Sequence, residues 1–429
     1  MIAEVATSDK IVVEKSTVPC GTADNLREVF SSLARPGLRF DILSNPEFLA
    51  EGTAVNDLLA PDRILIGSLG DARALEAAEA LADIYAAWVP RERVITINLW
   101  SSELAKLAAN CMLAQRISSI NSLSALCEAT GADVDELAHA VGQDRRIGTR
   151  MLKASAGFGG SCFKKDVLSL VYIAESHHLP EVASYWKRIV DINEYQKDRF
   201  AKRITRCLYN SLTNKKITVL GFAYKKDTGD TRESAAITII GHLIAERARV
   251  AIYDPKVEEH QIVRDLQQVH KPEAVAERVS VCEDSYSACA DACAVVILTE
   301  WDEFKTDHLP EKAPRPRHLM ETPLASTSHA MSDDSLSDHS KMETGSSSGE
   351  ENDAVLNGLA STLSTSDTAE SMSQLTVSGK HRLDWARVAS AMRRPRLLFD
   401  GRNIVQPDKL AALGFRVHCI GKMKQHFEL

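Results

Sequence analysis

The chain has 429 residues, of which 44% are hydrophobic and 26% charged, so it is long enough for two or three folded domains. No run approaches ~18 apolar residues, and the N-terminus lacks a basic segment followed by an apolar one, so we predict neither a membrane span nor a secretory signal. The net charge of −8 lies in residues 321–380, which hold ten Asp or Glu and two Lys, and the balanced remainder argues against nucleic-acid binding.

Residues 1–98 alternate short β-rich runs with amphipathic stretches. Strands are predicted within residues 10–17, 38–45, 63–69 and 93–99, and helices within residues 22–34 and 72–89. Strands that alternate with helices in this way predict an open α/β sheet with parallel strands.

Residues 99–212 are predicted to be helical. One helix runs through residues 101–131 and ends at Gly131, and Asp133 with Glu136 resembles a capping box that begins the next helix. A third helix is expected near Cys162, and a fourth from about Pro180 to Leu208. Long helices with apolar stripes favour a dimer interface, although a simple helical connector is the alternative.

The α/β pattern resumes in residues 213–429. A strand, a helix and a second strand ending at Asp254 form a βαβ unit, and further strands are predicted within residues 292–300, 396–403 and 415–421. A Gly-x-Gly-x-x-Gly fingerprint is absent from the whole chain. Residues from about 306 to 382 interrupt this domain, and because residues 321–380 contain fifteen serines and no aromatic residue, we predict that the insertion is disordered.

The segment "GFGGSCFKKD" contains a candidate nucleophile. Nine scattered cysteines indicate a reducing, cytoplasmic compartment, and no His or Cys pattern completes a metal site. Cys162 is expected in the first turn of a helix, where the helix dipole and the two following lysines favour the thiolate. Asp166 lies one turn further on the same face and is a candidate base for a water molecule. A small buried cysteine after a flexible loop is an equally supported alternative.

Three other polar segments are weaker signals. Lys106 and Asn110 share a helix face and are candidate donors to an oxyanion, although an ordinary solvated face explains them more simply. Glu47 and Glu51 follow a predicted strand, where open α/β sheets bind ligands. The loop in residues 221–234 is rich in cations and hydroxyls, and phosphate binding and a merely polar loop are equally supported.

Taken together, these segments resemble the UDP-glucose 6-dehydrogenase family. The motifs occur in the family's order over residues of about 10–305 and 383–422. They are "EKSTVP", "NPEFLAEGTA", "PDR", "WSSELAKLAAN", "AQRISSINS", "GFGGSCFKKD", "GFAYKKDTGDTRES", "IYDP", "TEWDEF" and "FDGRN". The resemblance implies two Rossmann-like domains joined by a central helical dimerisation domain, and hence a homodimer or higher homo-oligomer.

The resemblance also implies a reaction: two NAD molecules oxidise the C6 hydroxyl of UDP-glucose to give UDP-glucuronate. Cys162 matches the residue that attacks the intermediate aldehyde, and the resulting thiohemiacetal is oxidised to a thioester and hydrolysed. Lys106 and Asn110 match residues that stabilise the oxyanion and hold the sugar. Glu47 matches an acid/base residue. Asp166 and Thr17 match residues that assist proton transfer and position water.

Binding residues are implied in the same way. The implied substrate contacts are Glu47, Phe48, Leu49, Lys106, Asn110, Arg146, Phe158, Gly159, Gly160, Lys225 and Arg402. The implied NAD contacts are Ser16, Thr17, Glu51, Cys162, Lys165 and Arg232. The resemblance further implies that Arg146 reaches the substrate of a neighbouring subunit.

The chain departs from the family pattern at its start and in its insertion. Because the glycine fingerprint is missing, we expect that the NAD-binding domain lacks its N-terminal part and that NAD affinity is reduced. An inactive UDP-sugar-binding or regulatory chain is therefore an alternative to the dehydrogenase, and a related enzyme acting on another sugar nucleotide is a less favoured one. The insertion is expected to loop out from the UDP-sugar domain.

Overall fold

The first of the two sheets in the described part of the chain lies towards the N-terminus. The computed structural model describes residues 1–306 and 382–422, so almost all of the insertion predicted to be disordered lies outside the described residues. The strands of the first sheet, in spatial order, are β1 Lys10–Glu14, β2 Phe40–Ser44, β3 Ile64–Ser68 and β4 Val94–Asn98. Pairs β1/β2 and β3/β4 are parallel as predicted. The central pair β2/β3 is antiparallel, with Ser44 opposite Gly67, which the alternation of strands and helices did not predict.

Helices pack on this sheet through small side chains. They are α1 Ile2–Val5, α2 Thr22–Leu33, α3 Ala54–Leu59 and α4 Ala72–Ala86. Three alanines of α4 pack against Leu43, Ile66 and Tyr85, and every residue of β3 is buried. A Cβ atom on Gly67 would lie 2.4 Å from Cβ of Ser102, so the glycine allows the next helix to begin directly against the sheet.

Four helices make up the central region. They are α5 Leu99–Thr130, α6 Val134–Gly142, α7 Phe163–Ser176 and α8 Pro180–Cys207. Helix α5 ends as predicted, because Gly131 adopts a left-handed conformation with φ 85°. Asp133 caps α6 as predicted, since its side chain accepts hydrogen bonds from the N–H groups of Asp135 and Glu136. Cys111 and Ala114 of α5, Val167 of α7 and Ile189 of α8 form a shared core.

The second sheet is parallel throughout. Its order is β10-β9-β8-β5-β6-β7, and its strands are β5 Lys216–Leu220, β6 Arg249–Tyr253, β7 Val279–Val281, β8 Ala294–Ile297, β9 Arg396–Asp400 and β10 Phe415–Cys419. The associated helices are α9 Ala235–Ala245, α10 Glu259–Val269, α11 Pro272–Arg278, α12 Ser285–Cys289, α13 Trp385–Ala391 and α14 Pro407–Ala412. The βαβ unit ending at Asp254 is confirmed, whereas β7 and helices α10 to α14 were not predicted.

The strand order positions the candidate site. It is the doubly wound order of dinucleotide-binding folds, whose ligands bind at the carboxyl ends of the strands where the order reverses. Here the reversal lies between β5 and β8, and a Cβ atom on Gly221 would lie 2.4 Å from Cβ of Thr299. The predicted class, α/β with two Rossmann-like domains and a helical central domain, is confirmed. Among the described residues, no helix has both the length and the apolarity to span a membrane.

Candidate active site

Cys162 stands at the start of helix α7. It is the N-cap residue, and its carbonyl oxygen accepts the first helical hydrogen bond, from Asp166 N at 2.9 Å. The side chain is exposed, and Sγ lies 3.5 Å from Oγ of Ser161. The alternative of a small buried cysteine is therefore wrong, and the sulfur is both accessible and close to the positive end of the helix dipole.

Asp166 forms a buried pair with Asn110 of helix α5. Only 1% of Asp166 is exposed, and Nδ2 of Asn110 donates to its Oδ2 over 2.6 Å. Its other oxygen, Oδ1, lies 3.3 Å from Nζ of Lys165 but accepts no well-aligned hydrogen bond from the described residues. This buried oxygen therefore retains lone pairs for a further hydrogen-bond donor.

Cys111 is a second thiol near this carboxylate. Burial raises its pKa to about 12, and the negative charge of Asp166 adds to the increase. A thiol with so high a pKa stays neutral at physiological pH and is a poor nucleophile. The two cysteines near Asp166 therefore differ: Cys111 is buried and unreactive, whereas Cys162 is accessible at the start of α7.

Lys106 lies one turn before Asn110 on helix α5 and is also buried. Its Nζ is 3.5 Å from Oε1 of Glu47 and 5.2 Å from the ring centroid of Phe48. Oε2 of Glu47 accepts a hydrogen bond from Leu49 N over 2.6 Å, which fixes the carboxylate. The interpretation of Lys106 and Asn110 as a solvated helix face is wrong, because both side chains point into the protein.

A pocket opens beside Glu47. Arg63 covers one face of Phe48, with its guanidinium carbon 3.9 Å from the ring centroid. The polar and aromatic residues that line the pocket include Lys15, Glu47, Phe48, Asp62, Arg63 and Tyr85. The site therefore combines an aromatic wall with several charged groups.

The loop after β5 contacts the N-terminal part of the chain through Glu51. Lys225 Nζ donates to the carbonyl oxygen of Glu51 over 2.8 Å. Arg232 forms two short hydrogen bonds with Asp230, of 2.9 and 2.7 Å, and lies 3.1 Å from Oε1 of Glu51. The predicted polar loop thus makes a defined ion cluster whose cations face the Glu47–Glu51 segment.

Electrostatics in this cluster move the pKa values of Glu51 and Asp230 in opposite directions. Burial raises the pKa of Glu51, and the hydrogen bond and charge of Asp230 raise it further. Burial also opposes ionisation of Asp230, but the hydrogen bonds from Arg232 outweigh it and lower the pKa of Asp230. The pKa of Tyr224 is raised by burial and by Glu51, with a smaller contribution from Cys162, which indicates that the cluster adjoins the thiol.

The glycines before Cys162 make room for the protein itself. A Cβ atom on Gly159 would lie 2.4 Å from the carbonyl oxygen of Glu233, and one on Gly160 would lie 2.9 Å from the ring of Tyr224. Gly160 N also donates to the carbonyl oxygen of Arg232 over 2.8 Å. Gly159 and Gly160 are implied substrate contacts, but the atoms nearest to their Cβ positions belong to the loop after β5.

The remaining predicted residues lie in different surroundings. Arg402 follows β9 and pairs with Glu300, which follows β8. Ser16 is exposed and Thr17 half-buried in the loop after β1, and this loop adjoins the Glu47 loop because Asn45 N donates to the carbonyl oxygen of Glu14.

Arg146 is not brought into the site. Its side chain is 89% exposed, and the hydrogen bonds it makes to described residues all go to Asp144. Its predicted role at a neighbouring subunit's substrate stays a prediction.

Sequence reasoning missed several residues that shape the site. They are Arg63, Asn193, Tyr224, Asp230 and Glu300. Asp230 and Tyr224 lie inside a segment that was singled out, so their polar character was visible. Asn193 carried no local signal, because its partner is 35 residues away in the chain.

Two Rossmann-like sheets, a helical central region and an accessible thiol next to the loop after β5 form the arrangement of a nucleotide-dependent dehydrogenase. Domain models of the UDP-glucose/GDP-mannose dehydrogenase family match residues 1–89 (NAD binding domain), 100–195 (central domain) and 218–322 (UDP binding domain). The chain belongs to this family and is an NAD-dependent dehydrogenase.

Individual relatives agree with this assignment. UDP-glucose 6-dehydrogenase 1 of Oryza sativa subsp. japonica is 47% identical over 98% of this chain and 74% of its own length. UDP-glucose 6-dehydrogenase of Drosophila melanogaster is 45% identical over 99% of this chain and 74% of its own length. A solved UDP-glucose dehydrogenase from Pyrobaculum islandicum superposes with a TM-score of 0.60 at 35% identity, over 68% of this chain and 64% of that one.

The match to the NAD-binding domain bears on one expectation. Because the domain model covers residues 1–89, the prediction that this domain lacks its N-terminal part is not supported. The strands of the first sheet pack with α4 in one apolar cluster and with α2 in another, while large apolar side chains such as Ile11, Leu59 and Ile95 stay exposed.

Proposed function

We propose that this chain oxidises the C6 hydroxyl of UDP-glucose twice, to the carboxylate of UDP-glucuronate, with Cys162 as nucleophile. The observation that carries the proposal is the exposed Cys162 sulfur, one helical turn from the buried Asn110–Asp166 pair. The names of the similar dehydrogenases from rice and fly support UDP-glucose as the substrate.

The first oxidation converts an alcohol to an aldehyde. The hydroxyl proton leaves to a base, and a hydride leaves from C6. Asp166 is the proposed base, acting directly or through a water molecule, because its Oδ1 accepts no well-aligned hydrogen bond from the described residues. Lys106 and Asn110 donate to the sugar oxygen, since the ammonium group and the second amide hydrogen of Asn110 lie on the same helix face.

The second oxidation uses the thiol. The Cys162 sulfur adds to the aldehyde carbon, and the oxygen takes up a proton, which gives a thiohemiacetal. Loss of a second hydride and of that proton gives a thioester, which water hydrolyses to the carboxylate and the free thiol. Lys106 and Asn110 stabilise the negative oxygen that forms as sulfur or water adds. Glu47, Asp166 and Thr17 are the proposed groups that orient and deprotonate the water.

The residues present fit a phosphate-bearing cofactor. Arg232 and Lys165 each expose more than half of their side chains, and arginine is well suited to phosphate oxygens. Ser16, Thr17 and Glu51 supply hydroxyl and carboxylate groups on the adjoining loops, and NAD, when bound, supplies the hydride acceptor.

In this proposal, the substrate binds across the crevice at the carboxyl ends of the strands of the second sheet. Lys225 and Arg402 bind the nucleotide portion, because both follow strands of the second sheet and both are cations. Phe48, Leu49, Phe158, Gly159 and Gly160 contact the sugar and the base. We further propose that Arg146 acts across a subunit boundary.

A homodimer is also part of the proposal. Helices α5, α7 and α8 leave large apolar side chains exposed, among them Met112, Leu126, Tyr172 and Tyr185. Exposed apolar surface of this kind commonly marks an interface. The cytoplasmic location predicted from the cysteine content stays a prediction.

Replacement of Cys162 tests the reaction. Cys162→Ala removes the nucleophile, so oxidation of the UDP-sugar 6-aldehyde should fall by at least ~10³-fold, because nothing else can form the thioester. NADH release measured with the aldehyde as substrate gives the rate. UDP-glucose binding measured by calorimetry should be almost unchanged.

Cys282→Ser is the matched control, because this half-buried cysteine lies after β7 and outside the site. It should retain aldehyde oxidation. Aldehyde oxidation by Cys162→Ala at the unchanged rate would refute the thioester mechanism, whereas UDP-glucose binding without any NADH release from the unchanged chain would favour a sugar-nucleotide-binding protein.

A further inference from the structure

The segment that leads into Cys162 is buried although it has no regular secondary structure. Residues 154–160 are all buried and belong to neither a helix nor a strand. Each residue of such a segment brings a backbone N–H and a C=O group away from water, and each of these groups needs a partner.

Three carboxamide side chains supply partners for this segment. Asn121 of α5 accepts a hydrogen bond from Ser155 N over 2.8 Å through Oδ1, and Gln196 of α8 donates to the Ser155 carbonyl over 2.8 Å. Asn193 of α8 bonds to both backbone groups of Phe158. The central helices thus hold the segment by its backbone.

Asn193 makes the closest of these contacts to the nucleophile along the chain. Its side chain is 2% exposed, Oδ1 accepts from Phe158 N over 2.8 Å, and Nδ2 donates to the Phe158 carbonyl over 3.1 Å. Because one end of the amide accepts and the other donates, its orientation is fixed. Gly157 completes the fit, because its φ is 136° and a Cβ atom there would lie 3.1 Å from Oδ1 of Asn193.

Phe158 transmits this constraint past Cys162. Its ring packs edge-on against Phe163, with 5.6 Å between the ring centroids. Phe163 is the first residue of α7 and immediately follows the cysteine. The chain on both sides of the thiol is therefore tied to one side chain on α8.

We propose that Asn193 is a positioning residue that fixes where the Cys162 sulfur stands relative to the bound sugar. The proposal rests on the proposed function, in which that sulfur attacks C6. Asn193 is assigned no contact with substrate or cofactor, and Asn193 acts on the thiol through Phe158. A displacement of about 1 Å at a reacting group is enough to cost about 10²-fold in rate.

Asn193→Asp is the sharpest test because it keeps the shape of the side chain. The acceptor toward Phe158 N remains, but a carboxylate oxygen replaces the donor and faces the Phe158 carbonyl. Two acceptors in contact repel, so the segment must move. Gln196→Glu is the matched control, because it makes the same chemical change at the donor to Ser155, seven residues before the thiol.

The readout is alkylation of Cys162 by iodoacetamide, followed by peptide mass spectrometry, with and without saturating UDP-glucose. UDP-glucose should slow alkylation of the unchanged protein at least about tenfold, because the sugar covers the sulfur. In Asn193→Asp the protection should fall below about threefold while the Kd for UDP-glucose changes less than about threefold. Gln196→Glu should retain the protection.

A second arm needs no ligand. The alkylation rate of the free Cys162 thiol should change at least about threefold in Asn193→Asp and less than about twofold in Gln196→Glu, since only the first change displaces Phe158. Unchanged rate and unchanged protection in Asn193→Asp overturn the proposal. Equal changes in both variants overturn it as well, because they would show a merely structural role.

Two further measurements distinguish a failure of this inference from a failure of the proposed function. If Asn193→Asp fails to fold, Asn193→Ser is measured in the same way, because a small neutral side chain leaves room for water at Phe158. If UDP-glucose binds the unchanged protein without protecting Cys162, the proposed function fails, and the ligand-free arm still decides the role of Asn193.

Discussion

The carboxylate of Asp254 organises the loop that carries Lys225. It accepts five N–H hydrogen bonds, from Phe222 N, Ala223 N, Trp301 Nε1, Lys256 N and Val257 N. In a dinucleotide-binding fold, an acidic residue at this strand end binds a ribose. Here the protein's own N–H groups occupy the carboxylate, so Asp254 holds the loop after β5 in place.

Asp254→Asn should destabilise the protein by about 2–3 kcal/mol, because either orientation of the amide places its NH₂ group against buried N–H donors. The KM for UDP-glucose should rise as well, since Lys225 lies on the loop that is released. Urea unfolding and steady-state kinetics measure the two effects. Asp265→Asn is the control: this carboxylate accepts one hydrogen bond, from Thr231 Oγ1, which an amide oxygen can still accept, and its other oxygen pairs with the exposed Arg264 over 3.5 Å. Equal stability of the two variants would contradict the argument.

Helix α5 carries Lys106 and Asn110, and local contacts fix where it begins and where it ends. Asn98 caps its start by accepting hydrogen bonds from Trp100 N and Ser101 N, and Gly131 ends it with φ 85°. A residue with a Cβ atom pays ~1 kcal/mol or more for a left-handed conformation. The helix end is therefore fixed by backbone sterics.

Gly131→Ala should lower the free energy of unfolding by about 1 kcal/mol, and Gly131→Asn should lower it less, because asparagine tolerates the left-handed region. Activity should not change in either variant, since Asn110 lies about six turns before this end. Chemical denaturation compares the two variants. A loss from Asn as large as that from Ala would show that packing, and not backbone conformation, selects glycine.

At the scale of the whole molecule, the two ends of the insertion lie side by side. Leu383 N donates to the carbonyl oxygen of Glu303 over 2.9 Å, and Gln406 N donates to Oγ1 of the buried Thr306 over 2.7 Å. Asp384 N also donates to the hydroxyl of Tyr286 over 3.0 Å. The chain therefore leaves and re-enters the second Rossmann-like domain at one point.

Replacing residues 307–381 by a flexible linker of about six residues should leave this domain folded, because the linker need only join two neighbouring points. Shortening the loop should also raise the free energy of unfolding by up to about 2 kcal/mol, through its lower closure entropy. Thermal unfolding and UDP-glucose binding check the result. A deletion variant that unfolds or loses binding would show that the insertion contributes structure to the domain.

Local pattern predicted most of the long elements correctly. Gly131 predicted the C-terminal end of α5, and Asp133 predicted the start of α6, because capping interactions act within a few residues. The antiparallel pairing of β2 with β3 could not be predicted in this way. Strand direction there depends on how the chain returns past α3, which composition and periodicity do not encode.

The residues of the candidate site were also predicted only in part from the sequence. The local pattern of "GFGGSCFKKD" picked out Cys162 and Asp166, and the structure brings Asp166 to Asn110 and Lys106 to Glu47. Viewed alone, the face with Lys106 and Asn110 predicted exposure, because charged residues are usually solvated. Only the packing of α5 and α7 decides that it is buried. Asn193 was invisible for the same reason, since a helical asparagine has no signature until its partner is known.

The carboxamides around residues 154–160 carry a consequence for the lifetime of the enzyme. Asparagine and glutamine are thermolabile, because their amides hydrolyse slowly to acids. Hydrolysis at Asn193 would make the same chemical change as Asn193→Asp and would remove the donor to Phe158 while leaving the size of the side chain almost unchanged. Prolonged heating would then disable a molecule that still looks folded. Hydrolysis of one buried amide would therefore lower the activity of the Cys162 thiol in a molecule that remains folded.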